Sequence, residues 1–374
     1  MSSEQYFPGL EGVIAGETAV SSIAGDLEYR GYSVTELADS SSFVETAYLL
    51  LHGELPSAEQ LADFKAILIE SAEIDPAIYE FLKKIPLHVG AMDVLRTGIS
   101  MLAHFDPQLD DESPSANIAK ATRLLAQIPM LIAARHRFRQ GLELVPPDAE
   151  GSFAGNLLQM ITGREPSPSE EDAMDVSLIL YAEHEFNAST FTARVVTSTQ
   201  SDLYSAVVAA VGALKGPLHG GANERVLEVL EEVGTPENAE PWVRHALATK
   251  RRIMGFGHRV YKDGDPRAVI LRDYCRSLAL EKGDTKFELI ADTLESVVRQ
   301  EKRLPPNLDW PSARLYRYLG LEVDLYTPLF VASRVAGWSA HVIEQAGNNR
   351  LIRPVSRYVG HAPRAYVPLE EREE

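Results

Sequence analysis

Residues 201–223 read SDLYSAVVAAVGALKGPLHGGAN. From Ser201 to Leu214 this is a capped, alanine-rich segment, which predicts a buried helix whose small side chains let another helix approach closely. Lys215-Gly216-Pro217 stops it, because proline cannot continue a helix and glycine suits its end. Leu218-His219-Gly220-Gly221 then forms a turn, and Ala222 to Val233 begins a new helix. His219 is thereby carried at a helix junction, where a side chain can be aimed into a cleft.

The same punctuation recurs outward from this junction. Ser167-Pro168-Ser169-Glu170 combines a capping box with proline at the first helical position. It leads into Ala173, Val176, Ile179 and Leu180, an apolar set at helical spacing that puts His184 near the helix's C-terminal end. Ser57 with Gln60 reads as a second capping box. Ser113-Pro114-Ser115 reads as a loop, and Pro305-Pro306-Asn307 as a break just before Asp309. Only near the N-terminus does the pattern change. Val13-Ile14-Ala15-Gly16 and Leu27-Glu28-Tyr29-Arg30-Gly31-Tyr32 are short, glycine-bounded and partly β-prone, which predicts a small peripheral hairpin. The fold class is therefore all-α with a minor N-terminal β-hairpin.

A chain of 374 residues, 45% hydrophobic, can bury more than one core, so two domains are expected. No apolar run approaches the roughly 20 residues a spanning helix needs, and MSSEQYFPGLEG lacks the basic and apolar regions of a signal peptide. A cytoplasmic enzyme with no membrane association is the expectation. The net charge of −18 argues against a nucleic-acid partner, which calls for a basic surface. Against that background Lys250, Arg251, Arg252, Arg259, Lys262 and Arg267 form one basic stretch, suited to a small polyanion or to ordinary solvated surface. The single cysteine, Cys275, excludes an intrachain disulfide and a zinc site built on several thiolates, and reads as a buried small hydrophobe.

The chemistry concentrates in Glu183-His184-Glu185, Gly216 to Asn223 with His219, Gly255-Phe256-Gly257-His258-Arg259-Val260-Tyr261, and Pro306-Asn307-Leu308-Asp309-Trp310. Each lies at a helix end or a glycine or proline break. Forming a carbon–carbon bond from a thioester needs a base for the α-proton and a hydrogen-bond donor for the developing enolate oxygen. A carboxylate and a histidine meet those needs. An aspartate of ordinary pKa near 3.9 is a weak base, so its site must desolvate it or pair it with an oxyanion donor. Trp310 and Pro311 beside Asp309 suit the first task. A second histidine would polarise an acceptor carbonyl, and arginines would grip the acceptor's carboxylates by planar paired contacts; Arg267, Arg334 and Arg353 are the candidates.

GFGHRVYKDGDPR, residues 255–267, resembles the signature of the citrate synthase family, with its Gly-aromatic-Gly-His start and Asp-Pro-Arg end correctly spaced. EHEFNAST from Glu183, GPLHGGANE from Gly216, PNLD from Pro306, SRVAGWSAHVIEQ from Ser333 and NNRLIRP up to Pro354 follow in the family's order, so the likeness runs from FPGLEGV to YVG at Tyr358. The resemblance implies a two-domain helical fold: a large dimerisation domain from 1–219 and 315–374, and a small domain at 220–314 inserted between them. It implies Asp309 as the base, His219 as donor to the enol oxygen and His258 as activator of the oxaloacetate carbonyl. It further implies His184, Arg267 and Arg334 as oxaloacetate ligands, with Arg353 reaching into the partner subunit's site of a homodimer or higher homo-oligomer. Gly255, Phe256 and Gly257 would pass close to the coenzyme, and Arg259 and Lys262 would take its phosphates. Acetyl-CoA would be a substrate, with no metal and no other cofactor required.

Within the family, 2-methylcitrate synthase is the rival reading. Tyr181-Ala182-Glu183-His184 and Asn307-Leu308-Asp309-Trp310 look like that branch, whereas His258-Arg259-Val260-Tyr261-Lys262 and SRVAGW look like short-chain citrate synthases. One added methylene is worth only about 1–3 kcal/mol in an apolar pocket, so one enzyme can accept both substrates. Trp310-Pro311-Ser312 departs from the more usual Phe-Tyr-Ser, which bears on acyl-chain preference. A non-catalytic helical assembly protein would be expected to lack one of the acid, base or arginine positions, and a histidine metal protein to show a short paired spacing such as HExxH.

Overall fold

The computed structural model describes residues 6–258, 260–261 and 264–372. A three-stranded antiparallel sheet comes first, with strands β1 (Ser21–Ser22), β2 (Glu28–Tyr29) and β3 (Tyr32–Ser33) in that order. Helices follow: α1 (Val34–Ser40), α2 (Phe43–His52), α3 (Ala58–Ser71), α4 (Pro76–Lys84), α5 (Ala91–Ala103) and the long α6 (Pro114–Arg139). Next are α7 (Phe153–Thr162), α8 (Pro168–Tyr181), α9 (Ala188–Ser198), α10 (Leu203–Leu214) and α11 (Ala222–Val233). The chain continues through α12 (Pro236–Ala248), α13 (Pro266–Glu281), α14 (Lys286–Lys302), α15 (Asp309–Tyr318) and α16 (Tyr326–Gly347). Among the described residues, regular structure is helical apart from the small sheet.

Local chemistry accounts for most helix starts. Ser57 and Ser167 make complete capping boxes with Gln60 and Glu170. Asp202 caps α10 by accepting the Ser205 N–H at 2.9 Å, one residue later than the Ser201 start read from sequence. Ser113-Pro114-Ser115 is a helix start and not a loop: Ser113 caps α6 and Pro114 occupies its first turn, where the missing N–H costs nothing. The hairpin joins β2 to β3 through Arg30 and Gly31, both at positive φ (51° and 88°), as a tight two-residue turn requires. Its neighbour differs from expectation. The strand paired with β2 is Ser21–Ser22, with Ser21 opposite Tyr29, while residues 13–16 are exposed and outside the sheet. Nor is the sheet peripheral, since Val20, Leu27 and Tyr29 are fully buried.

The core is organised around α16, buried along nearly its whole length from Tyr326 to Val342. It packs on α2, α6, α8, α9 and α10. Close approach to α8 depends on Gly337, where a Cβ would run into the Ala182 carbonyl and the Glu183 carboxylate. Helices α11 to α15 pack on one another, and α13 also lies against α1 and α8. Cys275 on α13 is buried, its thiol directed at the Pro311 carbonyl at 3.1 Å, in keeping with a small packed side chain. Among the described residues no helix is long and apolar enough to cross a membrane.

Candidate active site

Two irregular segments are zipped together to present the site. Phe256 pairs with Pro306, the Gly257 N–H donates to the Pro305 carbonyl at 2.8 Å, and the Asn307 N–H donates to the Gly255 carbonyl at 2.9 Å. The Asn307 side chain adds a bond from Nδ2 to the Gly257 carbonyl at 3.0 Å. These bonds fix the loop that carries His258 against the turn that opens α15 at Asp309. Gly255 is required there, because its φ is +86° and a Cβ would fall 2.8 Å from the Trp310 ring and 2.9 Å from Val226. Trp310 lies beneath this loop, its ring 4.6 Å from that of Phe256. Gly255→Ala is expected to destabilise the protein by about 1–3 kcal/mol, visible as a lowered melting temperature, through both the disfavoured φ and the forced overlap.

Asp309 stands at the first turn of α15 and accepts a hydrogen bond on Oδ1 from the Tyr181 hydroxyl at 2.9 Å. Burial pushes its carboxyl up to about 6, against the lowering effect of Tyr181 and of Arg267. Such a group is a stronger base than an ordinary aspartate and still ionised near neutrality. His219, at the junction between α10 and α11, is fixed by the start of α9: the Ser189 N–H reaches its Nε2 at 3.3 Å and the Ser189 hydroxyl lies 2.8 Å from the same atom. A main-chain N–H can only donate, so Nε2 is the acceptor and the ring proton sits on Nδ1. Burial, helped by Arg334, pushes the imidazole down to about 4, so His219 is a neutral donor. Trp338 on α16 donates to Ser189 Oγ at 3.0 Å and completes this support.

His258 is held in the opposite sense. Its Nδ1 accepts the N–H groups of Val260 and Tyr261 at 3.1 and 3.2 Å, which leaves the proton on Nε2. Its ring stacks on Tyr261 at 4.7 Å and lies 5.2 Å from the His184 ring. His184 follows the end of α8 by three residues and is buried, with no partner on Nε2. Burial first, then Arg267 and Arg334, holds it well below the ordinary histidine range.

Of the three candidate arginines, Arg267 and Arg334 are buried, and they are differently engaged. Arg267 forms a paired contact with Asp265, Nε to Oδ1 and Nη2 to Oδ2 each at 2.9 Å. Arg334 on α16 donates from Nε to the Tyr181 carbonyl at 2.6 Å, covers the Phe330 ring at 4.6 Å, and leaves Nη1 buried without a partner. A buried guanidinium with an unused donor is a site for an anion. Arg353 is exposed on the segment after α16 and is not buried with these groups. Arg259 and Lys262 lie outside the described residues. The basic stretch is also less open than its sequence suggests, since Arg251 is paired with Glu232 at 2.6 Å and Arg267 is interior.

Four supporting residues were not singled out as site residues from sequence: Tyr181 on Asp309, Ser189 on His219, Asp265 on Arg267, and Asn307 across the zipped segments. Asp265 had a legible signal, because Asp-Pro at 265–266 is a cap followed by a first-turn proline, and its carboxylate also accepts the Leu308 N–H at 3.2 Å. Ser189 lies inside the EHEFNAST stretch, but nothing there pairs it with His219, 30 residues away.

The family model described as citrate synthase, C-terminal domain, matches residues 9–355. Citrate synthase 2 of Bacillus subtilis is 49% identical over 97% of this chain and 98% of its own length. The 2-methylcitrate synthase 2 of Corynebacterium glutamicum is 45% identical over 97% of both chains. Among solved structures, citrate synthase from Pyrobaculum aerophilum superposes with a TM-score of 0.92 at 38% identity, covering 98% of this chain and 95% of that one. Citrate synthase from Thermoplasma acidophilum, solved with carboxymethyl coenzyme A and oxaloacetate, gives 0.93 at 34% identity over 99% of this chain and all of its own. Fold, motif order and relatives over nearly the full length agree that this chain belongs to the citrate synthase family of acyltransferases.

Proposed function

We propose that the protein condenses acetyl-CoA with oxaloacetate and water to give citrate and CoA. The observation that carries this reading is the gathering of three groups about the Phe330 ring: Tyr181 at 4.4 Å with its hydroxyl on Asp309, His219 at 6.2 Å, and the Arg334 guanidinium with its unused donor at 4.6 Å. Asp309 takes a proton from the acetyl methyl, and the C–H electron pair moves into an enolate whose oxygen accepts the His219 Nδ1–H. The enolate carbon attacks the ketone carbon of oxaloacetate. His258 Nε2–H donates to the ketone oxygen, which becomes the alcohol, and the proton that Asp309 took from the acetyl methyl makes good the one His258 gives. Water then cleaves the thioester and CoA leaves as its thiol. His184, Arg267 and Arg334 hold the acceptor's carboxylates, and Arg353 enters from a second copy of the chain in a homodimer. The coenzyme lies along Gly255, Phe256 and Gly257 with its phosphates at Arg259 and Lys262.

Residues 220–314 form the smaller domain in this reading and close over bound oxaloacetate, shielding the enolate from water. No step calls for a metal or redox cofactor. Purified enzyme treated with a chelator should keep its full rate, and loss restored by a divalent ion would overturn that point.

Propionyl-CoA is the second candidate acyl donor, favoured by the likeness of Tyr181-Ala182-Glu183-His184 and Asn307-Leu308-Asp309-Trp310 to the 2-methylcitrate branch and by the Corynebacterium glutamicum relative. The deciding experiment follows release of free CoA thiol with oxaloacetate and either thioester. A higher kcat/KM for acetyl-CoA supports citrate synthase, a higher value for propionyl-CoA makes the enzyme a 2-methylcitrate synthase, and no release with either sinks the catalytic reading.

A further inference from the structure

We infer that the small N-terminal sheet is part of the acceptor-binding apparatus, with Tyr29 and Ser21 acting as positioning residues that hold the turn carrying His184. The inference rests on the reading of His184 as an oxaloacetate ligand. It begins from a local difficulty. The chain leaves α8 at Tyr181 and must present the buried His184 imidazole within three residues, and to do so Glu185 adopts φ of +50°, a left-handed conformation disfavoured for any residue with a Cβ. Such a turn persists only where its surroundings over-determine it.

The surroundings come from the sheet. Tyr29, fully buried on β2, accepts the Glu183 N–H on its hydroxyl at 3.2 Å. The same hydroxyl has the Glu183 carbonyl at 3.0 Å and the Ile179 carbonyl at 3.1 Å as acceptors for its proton. It therefore satisfies groups that the end of α8 would otherwise leave unpaired. Ser21 on β1 donates to Glu183 Oε1 at 3.0 Å and accepts the Glu185 N–H at 3.0 Å. Tyr29 and Ser21 face each other across the β1–β2 pair, so one register brings both to the same turn.

The far side is closed by helices. Asn187 Nδ2 reaches the carbonyls of His184 and Glu185, both at 3.3 Å. On α16, His341 accepts Arg194 Nη1 on its Nδ1 at 3.0 Å and so donates from Nε2 to Glu183 Oε1 at 2.9 Å. The main-chain groups of residues 183–185 and the Glu183 carboxylate are thus held on both sides of His184. The His184 Nε2 itself is buried and left without a protein partner. None of the clamping hydroxyls reaches into that position, so they act through His184 and not on substrate.

The test is steady-state kinetics of the full chain carrying Tyr29→Phe, which keeps the ring in the core and removes only the hydroxyl. KM for oxaloacetate should rise about 3- to 10-fold, the range one buried hydrogen bond is worth, while KM for acetyl-CoA stays within about twofold. Ser21→Ala, which leaves the Tyr29 ring untouched, should give the same selective rise, and Ser21→Thr, which restores a hydroxyl, should reverse it. If Tyr29→Phe folds poorly, the serine pair decides alone. An active wild type whose Tyr29 and Ser21 variants show unchanged oxaloacetate KM, or a parallel loss in both substrates, overturns this inference and leaves the functional reading standing. An inactive wild type overturns the functional reading itself, and with it the role of His184.

Discussion

Asp309→Asn should lower turnover by at least about 10²-fold and at the same time make the protein harder to melt. The first effect follows from removing the proposed general base, a role that typically supplies about 10² to 10⁴ in rate. Asparagine keeps the shape and can still accept the Tyr181 hydroxyl on its side-chain oxygen, so oxaloacetate binding should survive. The second effect follows from linkage. Burial raises the folded carboxyl to about 6 from an ordinary 3.8, so the fold favours its protonated form. That contribution is fully present below the unfolded value and is lost as pH rises through about 6. At pH 7 the ionised carboxylate therefore costs stability, by no more than about 2 kcal/mol once the partial exposure of Asp309 is allowed for, and the neutral amide removes the cost. The same shift gives the wild type a kcat/KM that falls about tenfold per unit as pH drops below about 6. Near-normal turnover in the variant, or a flat profile down to pH 5, would remove Asp309 as the base.

How much of this was legible follows from the range of the forces involved. Capping boxes at Ser57 and Ser167 act within four residues, so those helix starts could be read directly. The glycine and proline breaks at 216–221 and 305–307 could also be read, and they located His219 and Asp309 at segment ends. Ser113-Pro114 reads as a loop because proline suggests a break, yet behind a serine cap the same proline occupies the first turn of a helix. The sheet was misjudged for a different reason. Nothing in Ser21–Ser22 is β-prone, and its side-chain partners are remote: the Ser21 hydroxyl bonds Glu183 and Glu185, 162 and 164 residues downstream. Tautomers were beyond sequence altogether, since His219 and His258 carry their protons on opposite ring nitrogens only because of which main-chain N–H groups face them.

Arg334→Lys should weaken oxaloacetate binding by about 10- to 100-fold, the worth of a charge-assisted hydrogen bond lost from a buried site. The argument is geometric. The guanidinium does two things at once: Nε holds the Tyr181 carbonyl at 2.6 Å, and the plane of the group rests over Phe330 at 4.6 Å with Nη1 left for a ligand. A lysine ammonium has the charge but no plane and no second arm, so it can keep the Tyr181 carbonyl or reach a carboxylate, not both. Burial already pushes Arg334 below its ordinary range, with Glu183 working against that loss, and a lysine in the same place would shed its proton far more readily. Calorimetric titration with oxaloacetate reads the effect without needing turnover. Arg267 supplies the comparison, because its fork is already satisfied by Asp265, so Arg267→Lys should disturb the protein's own ion pair as much as the ligand and lower the melting temperature more than Arg334→Lys does. Unchanged affinity in Arg334→Lys would take this residue out of the acceptor site and shift the anion-binding role to Arg267 and His184.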